Sequence, residues 1–498
     1  MIKPGWRLQK NIFNSACNFG AERSIMLPLN KPTIGFLFIS TPRFHDLGEG
    51  TEGNYFYMRK ENYVKQFLKR FSFADVCFPG IVYTREDLKK AMASFLSSAP
   101  DLIFAMFLSW SDDYAWVRFL RDMPPIPLVL ATISFEEEPV KDSFTEDRFV
   151  EFLASGGLVG SLEASGSLAR FNRPMTFTFT GSEDQVVEET LHLARACVLR
   201  REIKNTVFGL LPSFNEVMWS TYIDPYAFFM AAGPELRFLS VAQLEEEIDA
   251  LSAEAVDAAV SQLRQTYSDD GRIQEDKMRA SVAASLAMES LARKFGIELL
   301  VLNDVDATLL NRIGLRPGFA PCPGTNDVMV IPEGDLGGGL ACYILGKLSG
   351  KHVNFIEPFY INRKDNTFAA GHAGPQDYTS STGRTLLSLD ERFAKSSYKY
   401  AGAPFAWHLI GPGEKTMLHI SQGPNGIKMA ATLVDALECD YFLAGYSHGL
   451  IRPRMDSGTF FSRLIEFGVT QHFALADGNW LKEASIAARL MGFDYLEI

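Results

Sequence analysis

The first third of the chain alternates short apolar runs with segments whose apolar residues recur at helical spacing. Three continuous apolar runs each predict a buried strand, at 34–39, 102–107 and 128–133. A weaker strand is predicted at 73–78, and residues 61–71 have the spacing of an amphipathic helix. Continuous apolar strands separated by helices indicate a parallel sheet covered on both faces. We therefore predict a doubly wound α/β domain over residues 1–175.

A second unit with the same alternation begins near residue 176. A strand start is indicated within 204–211, a segment that weakly resembles the strand start at 31–37, and a further strand is predicted at 297–302. Helical spacing predicts four intervening helices, at 225–232, 241–251, 253–266 and 273–295. These elements predict a second doubly wound domain over residues 176–350.

The pattern changes beyond residue 350. Short strand-like segments are interrupted by turn residues, as in Gly411-Pro412-Gly413 and Gln422-Gly423-Pro424-Asn425-Gly426. This pattern predicts an antiparallel sheet or barrel over residues 351–498, closed by an amphipathic helix at 480–491. The predicted fold is two doubly wound α/β domains followed by a mainly antiparallel β C-terminal domain.

Composition narrows the classes of partner. The chain has 498 residues, 47% hydrophobic and 22% charged, which is typical of globular proteins and excludes wholesale disorder. Its net charge of −12 argues against a chain-wide surface for nucleic acid, because such a surface must be basic. No apolar run approaches the ~20 residues of a membrane helix. We expect a protein with neither a nucleic-acid nor a membrane partner.

The N-terminus and the cysteines bear on location. The first residues carry Lys3, Arg7 and Lys10, but no apolar stretch of the kind found in a signal peptide follows them. The six cysteines form no C-x-x-C pair, which predicts reduced, structural thiols. A cytoplasmic location is therefore expected.

Histidine points to the last third of the chain, where six of the eight histidines lie. Histidine is the commonest metal ligand and the usual acid or base at neutral pH. The most distinctive segment nearby follows the apolar run 328–331 and places Glu333 and Asp335 before Gly337-Gly338-Gly339 and an apolar helix at 340–348. An acid at the end of a strand and before a helix stands where open α/β sheets bind ligands. Phosphate binding by the glycines is an alternative, although neither the Walker nor the dinucleotide pattern fits.

Three further residues complete a candidate site. Glu357 lies in an apolar strand, His372 is flanked by small residues in Gly371-His372-Ala373-Gly374, and His472 precedes the apolar run 473–475. Two carboxylates and two imidazoles suit Mn²⁺ or a similar divalent ion. The alternative for Glu357 is an ion pair with Lys351 or Arg363, and a single histidine in a strand is often structural.

Four motifs, in order, resemble those of the L-fucose/L-arabinose isomerase superfamily. They are Glu333-Gly334-Asp335, Phe355-Ile356-Glu357, Gly371-His372 and Gln471-His472-Phe473-Ala474-Leu475. The resemblance implies that Glu333, Glu357, His372 and His472 ligate Mn²⁺. It further implies that Glu333 and Glu357 move protons between C1 and C2 of a free sugar through an enediol, in an aldose–ketose isomerase. We also expect a homo-oligomer.

The chain departs from both branches of this superfamily. The arabinose branch has a His-His pair where Gln471-His472 stands, and the fucose branch has Asp at the position of Glu357 and an aromatic residue at that of Gly371. A small residue at 371 predicts an enlarged pocket, and hence a hexose with a modified or anionic C6 group. Four basic residues are candidates to meet such an anion, with a solvated surface role as the alternative: Arg363, Lys364, Arg452 and Arg454.

Other functions remain open on sequence grounds. Gly445-Tyr446-Ser447-His448-Gly449 matches the G-x-S-x-G nucleophile elbow of hydrolases, with Asp456 and His472 following in order, but Pro453 interrupts the helix that the elbow requires. A non-catalytic sugar-binding protein would share the two-domain architecture. A metal-dependent epimerase or lyase would share the early chemical steps.

Overall fold

The computed structural model describes residues 28–46, 55–137, 146–320, 328–379, 385–391 and 401–498. The N-terminal residues used to exclude a signal peptide lie outside these ranges, as do Cys17 and Cys322. None of the helices in the described part of the chain has the length and apolar character needed to cross a bilayer.

The first layer is a five-stranded parallel sheet. Its strands are β1 (Thr33–Ile39), β2 (Asp75–Cys77), β3 (Leu102–Phe107), β4 (Leu128–Ile133) and β5 (Thr176–Gly181). Its helices are α1 (Arg43–Asp46), α2 (Tyr55–Leu68), α3 (Arg85–Ser98), α4 (Tyr114–Asp122), α5 (Glu146–Ser155), α6 (Leu158–Phe171) and α7 (Glu183–Lys204), and a 3₁₀ turn follows α2 at Lys69–Phe71. The strand order is β2-β1-β3-β4-β5, with every pair parallel.

Both faces of this sheet are buried, as the continuous apolar runs predicted. Phe36, Phe38 and Phe104 pack into one hydrophobic core, whereas Leu37 and Ile103 pack into another on the opposite face. Successive residues of a strand point to opposite faces, so a strand buried on both faces has no polar alternation.

The second layer is a four-stranded parallel sheet with the order β10-β9-β6-β7. Its strands are β6 (Val207–Leu211), β7 (Glu235–Phe238), β9 (Ile297–Leu302) and β10 (Met329–Ile331). Its helices are α8 (Pro225–Ala231), α9 (Val241–Asp249), α10 (Ala253–Thr266), α11 (Glu275–Phe295), α12 (Ala307–Ile313) and α13 (Leu336–Ser349), with a 3₁₀ turn at Trp219–Thr221. A separate small sheet, ordered β14-β13-β8, contains β8 (Ser268–Asp269), β13 (Thr385–Leu389) and β14 (Pro404–His408).

The C-terminal part is an antiparallel barrel. Its strands are β11 (Val353–Asn362), β12 (Thr367–His372), β15 (Gly413–Gly423), β16 (Gly426–Leu437), β17 (Ser447–Pro453) and β18 (Phe473–Asp477), with β19 (Asp494–Glu497) added in parallel to β16. The order is β15-β18-β11-β12-β17-β16-β19, and β15 also pairs with β16, which closes the barrel. The helices α14 (Ser457–Phe467) and α15 (Leu481–Met491) complete it. The predicted class, parallel α/β layers followed by an antiparallel β-rich part, is confirmed.

Two details concern the predicted domain boundaries. The boundary after residue 175 falls immediately before β5, which pairs with β4 in the first sheet. The boundary after residue 350 falls between α13 and β11. Helix α13 joins the second sheet to the barrel: Gly339 packs against Leu299 of β9, and Gly338 packs against Phe355 of β11.

Candidate metal centre

Glu333 occupies a tight turn between β10 and α13. Its φ is +64°, and Gly334 follows at +67°, so two consecutive residues adopt the left-handed conformation. A non-glycine residue is rare there, and such conformations persist only where the surroundings enforce them. The backbone N–H of Glu333 donates to the Asp304 carboxylate at 3.0 Å, and that of Gly334 donates to the Leu302 carbonyl at 3.0 Å. These bonds hold the turn on the end of β9.

The two histidines come from strands on either side of β11. His372 is the last residue of β12, and His472 immediately precedes β18. Because the barrel order runs β18-β11-β12, residues 100 positions apart in sequence become near neighbours. The ring of Phe355 in β11 packs against both imidazoles, at centroid distances of 4.8 Å to His372 and 4.6 Å to His472.

The three side chains converge. Each offers a ligand atom within 4.8 Å of the others, and no other such group occurs among the described residues. Glu333 Oε2 lies 3.3 Å from His472 Nε2 and 3.7 Å from His372 Nε2. All three residues are buried, with 7%, 2% and 0% exposure for Glu333, His372 and His472. The structure thus brings together three of the four predicted site residues.

Hydrogen bonds on the far side of each imidazole define which nitrogen faces the centre. His472 Nδ1 lies 2.8 Å from the Asp335 carboxylate, and His372 Nδ1 contacts the Ala373 carbonyl oxygen. These partners are acceptors, so each Nδ1 carries its proton and donates it. A histidine that donates from one nitrogen to a carboxylate or carbonyl presents the other as a metal ligand.

The converging atoms have no protein partners apart from one another. Glu333 Oε2, His372 Nε2 and His472 Nε2 are all buried without a hydrogen bond. A buried polar atom with no partner costs roughly 1–3 kcal/mol, so three in one place are unusual for a structural cluster. One carboxylate oxygen and two imidazole nitrogens are a donor set that suits a divalent cation. The group is therefore able to hold such an ion.

The pKa values of the group reflect strong coupling. Burial alone would raise the pKa of Glu333, but His372 and His472 outweigh it and hold that pKa well below its usual range. Burial alone would lower the pKa of His472, but Asp335 and Glu333 outweigh it and raise the pKa to about 9. The Glu333 carboxylate is therefore ionised at neutral pH, as a cation ligand must be, whereas His472 with this raised pKa must release its Nε2 proton when an ion binds.

Glu357, the fourth predicted residue, is not a member of the converging group. It lies on β11, opposite Gly371 of β12, and is half-buried. Its charge nevertheless acts on the same neighbourhood. Burial and then the charge of Glu357 raise the pKa of Tyr446 to about 12, and Glu333 contributes in the same direction. A phenol thus lies within the electrostatic reach of both carboxylates.

The predicted pocket enlargement at Gly371 is wrong. A Cβ at this position would lie 2.0 Å from the Ser447 carbonyl oxygen and 2.7 Å from His448 Cα. The backbone of β17 therefore fills the space that a side chain at position 371 would occupy. Gly371 allows β12 and β17 to pack closely and does not open space for a substrate.

The glycines of Gly337-Gly338-Gly339 serve a similar purpose. They lie in the first turn of α13, which begins at Leu336 instead of the predicted 340. Their Cβ positions would lie 2.2 Å from the Ile420 carbonyl oxygen, 2.6 Å from the Phe355 ring and 2.9 Å from Leu299. Protein atoms thus fill the side-chain positions of all three glycines, which lets α13 pack closely, and the N–H groups of Gly338 and Gly339 already donate to Asp335, at 2.9 and 3.0 Å.

The remaining sequence candidates are placed elsewhere. Ser447 begins strand β17 instead of preceding a helix, and its hydroxyl pairs with His408 Nδ1 at 3.1 Å. Asp456 caps α14, and His472 faces Asp335, so the hydrolase arrangement is not assembled. The four basic candidates for anion binding are all exposed: Arg363, Lys364, Arg452 and Arg454.

Two supporting acids were not predicted. Asp335 accepts from His472 through one oxygen and caps α13 through the other, at 2.9 Å from Gly338 N. Asp304 supports the backbone of Glu333. Asp335 stands in the same quoted motif as Glu333, and Asp304 follows the predicted strand 297–302, which is where an acid near a ligand is expected.

Comparison with known proteins adds no assignment. No protein-family model matches the chain, and no curated protein matches it either.

Proposed function

We propose that this chain is a metal-dependent aldose–ketose isomerase that acts on a free sugar, as a divergent relative of the L-fucose/L-arabinose isomerases. Glu333, His372 and His472 hold the divalent ion, Mn²⁺ in our proposal, and Glu357 supplies the second carboxylate. The observation that carries the proposal is the convergence of three buried ligand atoms that form no hydrogen bond, together with the Nδ1 contacts to Asp335 and the Ala373 carbonyl that turn both histidines toward the centre.

The position of Glu357 supports a second acid–base group. It stands two residues beyond Phe355, whose ring touches both imidazoles, and its charge and that of Glu333 both act on Tyr446. Two carboxylates beside one substrate can divide the work of base and acid. Acids that lie near histidines in this way are recognised candidates for catalytic residues.

The reaction requires one proton to leave C2 of an aldose and one to return to C1, with the hydroxyl proton moving between O1 and O2. A bound divalent ion would supply a Lewis acid that stabilises negative charge on the sugar oxygens. In this scheme Glu333 and Glu357 carry the protons, and His372 and His472 face the ion through Nε2 while their Nδ1 protons are donated to the Ala373 carbonyl and to Asp335.

A panel of aldoses and ketoses, assayed with and without Mn²⁺, tests the proposal. It should include hexoses with a modified or anionic C6 group. We expect interconversion of at least one pair, dependent on metal and abolished in Glu333→Gln and Glu357→Gln. Glu414→Gln is the matched control, because Glu414 is an exposed partner of Arg454.

The outcomes separate the competing functions. Full activity in either site variant would contradict the isomerase. Metal-dependent inversion at a carbon, or cleavage of a carbon–carbon bond, without aldose–ketose exchange would favour an epimerase or lyase. Sugar binding without turnover would favour a binding protein.

A further inference from the structure

A fully buried ion pair lies next to the loops that carry two of the metal ligands. Arg316 and Asp304 are both 0% exposed, and Arg316 Nε lies 3.1 Å from Asp304 Oδ2, which Nη2 also contacts. Arg316 Nη1 donates to Asp390 Oδ2 at 2.8 Å, and the guanidinium stacks over the Phe405 ring at 5.3 Å. Burying charged groups is costly even when they are paired, so this arrangement calls for a role beyond packing.

One end of the pair is bonded to the Glu333 turn. While Asp304 Oδ2 binds Arg316, Asp304 Oδ1 accepts the backbone N–H of Glu333 at 3.0 Å. Glu333 has a φ of +64°, a conformation that a non-glycine residue keeps only when its surroundings enforce it, and this hydrogen bond is part of those surroundings. Arg316 orients the Asp304 carboxylate, and Asp304 in turn holds the backbone of the ligand.

The other side of the pair packs against the loop after His372. Gly374 has a φ of +108°, and a Cβ there would lie 2.8 Å from Asp304 Oδ2 and 3.3 Å from Arg316 Nη2. The chain two residues beyond His372 therefore closes directly onto the ion pair. A single buried unit is in contact with the loops of both Glu333 and His372.

We propose that Asp304 and Arg316 are positioning residues of the metal centre, which set the relative placement of the Glu333 carboxylate and the His372 imidazole. The inference rests on the metal-binding part of the proposed function and is independent of the sugar. Partners of this kind around a metal site typically change the metal affinity 10–100-fold when removed.

The test compares Asp304→Asn with Asp390→Asn in the full chain. Both variants remove one carboxylate from the same guanidinium, but only Asp304 contacts the Glu333 backbone. We measure Mn²⁺ affinity by calorimetry, the electron paramagnetic resonance spectrum of bound Mn²⁺, and unfolding by denaturant. We expect Asp304→Asn to bind Mn²⁺ about 10–100-fold more weakly with an altered spectrum. We expect Asp390→Asn to lose stability and keep the wild-type affinity and spectrum.

Equal losses of affinity in both variants, or no loss in Asp304→Asn, would overturn the proposal. If Asp304→Asn does not fold, Arg316→Lys takes its place, because lysine keeps the charge and loses the planar fork. Unchanged affinity and spectrum in Arg316→Lys would then overturn it. Wild-type protein that binds Mn²⁺ and converts no sugar refutes the isomerase alone, whereas wild-type protein that binds no Mn²⁺ refutes both.

Discussion

The close approach of β12 and β17 beside His372 makes Gly371→Ala a sharp test of the site's architecture. The added Cβ would lie 2.0 Å from the Ser447 carbonyl oxygen, whereas ordinary contacts begin at 3.4 Å. The obstacle is backbone, which cannot rotate aside as a side chain can. The strands must therefore separate by on the order of 1 Å, and His372 moves with them.

The magnitude follows from two costs. Overpacking a buried position typically costs about 1–3 kcal/mol. Weakening the β12–β17 ladder exposes buried backbone groups to a further penalty of roughly 1–3 kcal/mol. We therefore expect Gly371→Ala to lose roughly 2–6 kcal/mol of unfolding free energy, a large share of the ~5–15 kcal/mol of a typical protein.

Denaturant unfolding measures this loss, with Gly166→Ala as the matched control. Gly166 lies inside α6 with nothing within 4 Å of its Cβ position, so the same substitution should stabilise by about 0.5–1 kcal/mol. Opposite signs in the two variants are the expected result. A stable Gly371→Ala protein with unchanged Mn²⁺ affinity would refute the packing argument and restore the view that this glycine opens the pocket.

Two further predictions address the environment of the site. Asp335→Ser keeps a capping oxygen for α13 but loses the acceptor of His472 Nδ1, so Mn²⁺ affinity measured by calorimetry should fall about 10–100-fold. Asp456→Ser makes the same change at the cap of α14 and should leave the Mn²⁺ affinity unchanged. Equal affinities in the two variants would contradict the role assigned to Asp335. Burial, with the charge of His352, lowers the pKa of His408 to about 3. Between pH ~6 and ~4, His408 is therefore protonated in the unfolded chain but neutral in the folded one. In that range His408 lowers the free energy of unfolding by about 1.4 kcal/mol for each unit that the pH falls. His408→Gln should flatten the pH dependence of denaturant unfolding by that amount, and parallel curves would show that His408 titrates normally.

The strands that were predicted most accurately are those buried on both faces. The boundaries of β3, β4 and β9 coincide with the predicted ranges, because a continuous apolar run between polar turns has distinct ends. β7 was not predicted: it is an edge strand whose residues are mostly exposed, so no apolar run marks it. The strands were therefore predicted from the apolar residues that they bury, and not from the intrinsic strand preference of their residues.

The site was predictable in composition but not in geometry. Acids at strand ends and histidines among small residues identify candidate ligands locally. Their convergence depends on the barrel order β18-β11-β12, which is not sequential, and no local pattern predicts it. The roles of Asp304 and Asp335 were missed for the same reason. Asp304 supports Glu333, which lies 29 residues away in sequence, and Asp335 supports His472, which lies 137 residues away.

Anomalous diffraction from crystals soaked in Mn²⁺ shows directly whether Glu333, His372 and His472 hold one divalent ion. We expect a single strong peak within about 2.0–2.3 Å of Glu333 Oε2 and the two Nε2 atoms. The absence of such a peak in fully soaked crystals, or a peak at other residues with these three left unliganded, would contradict it.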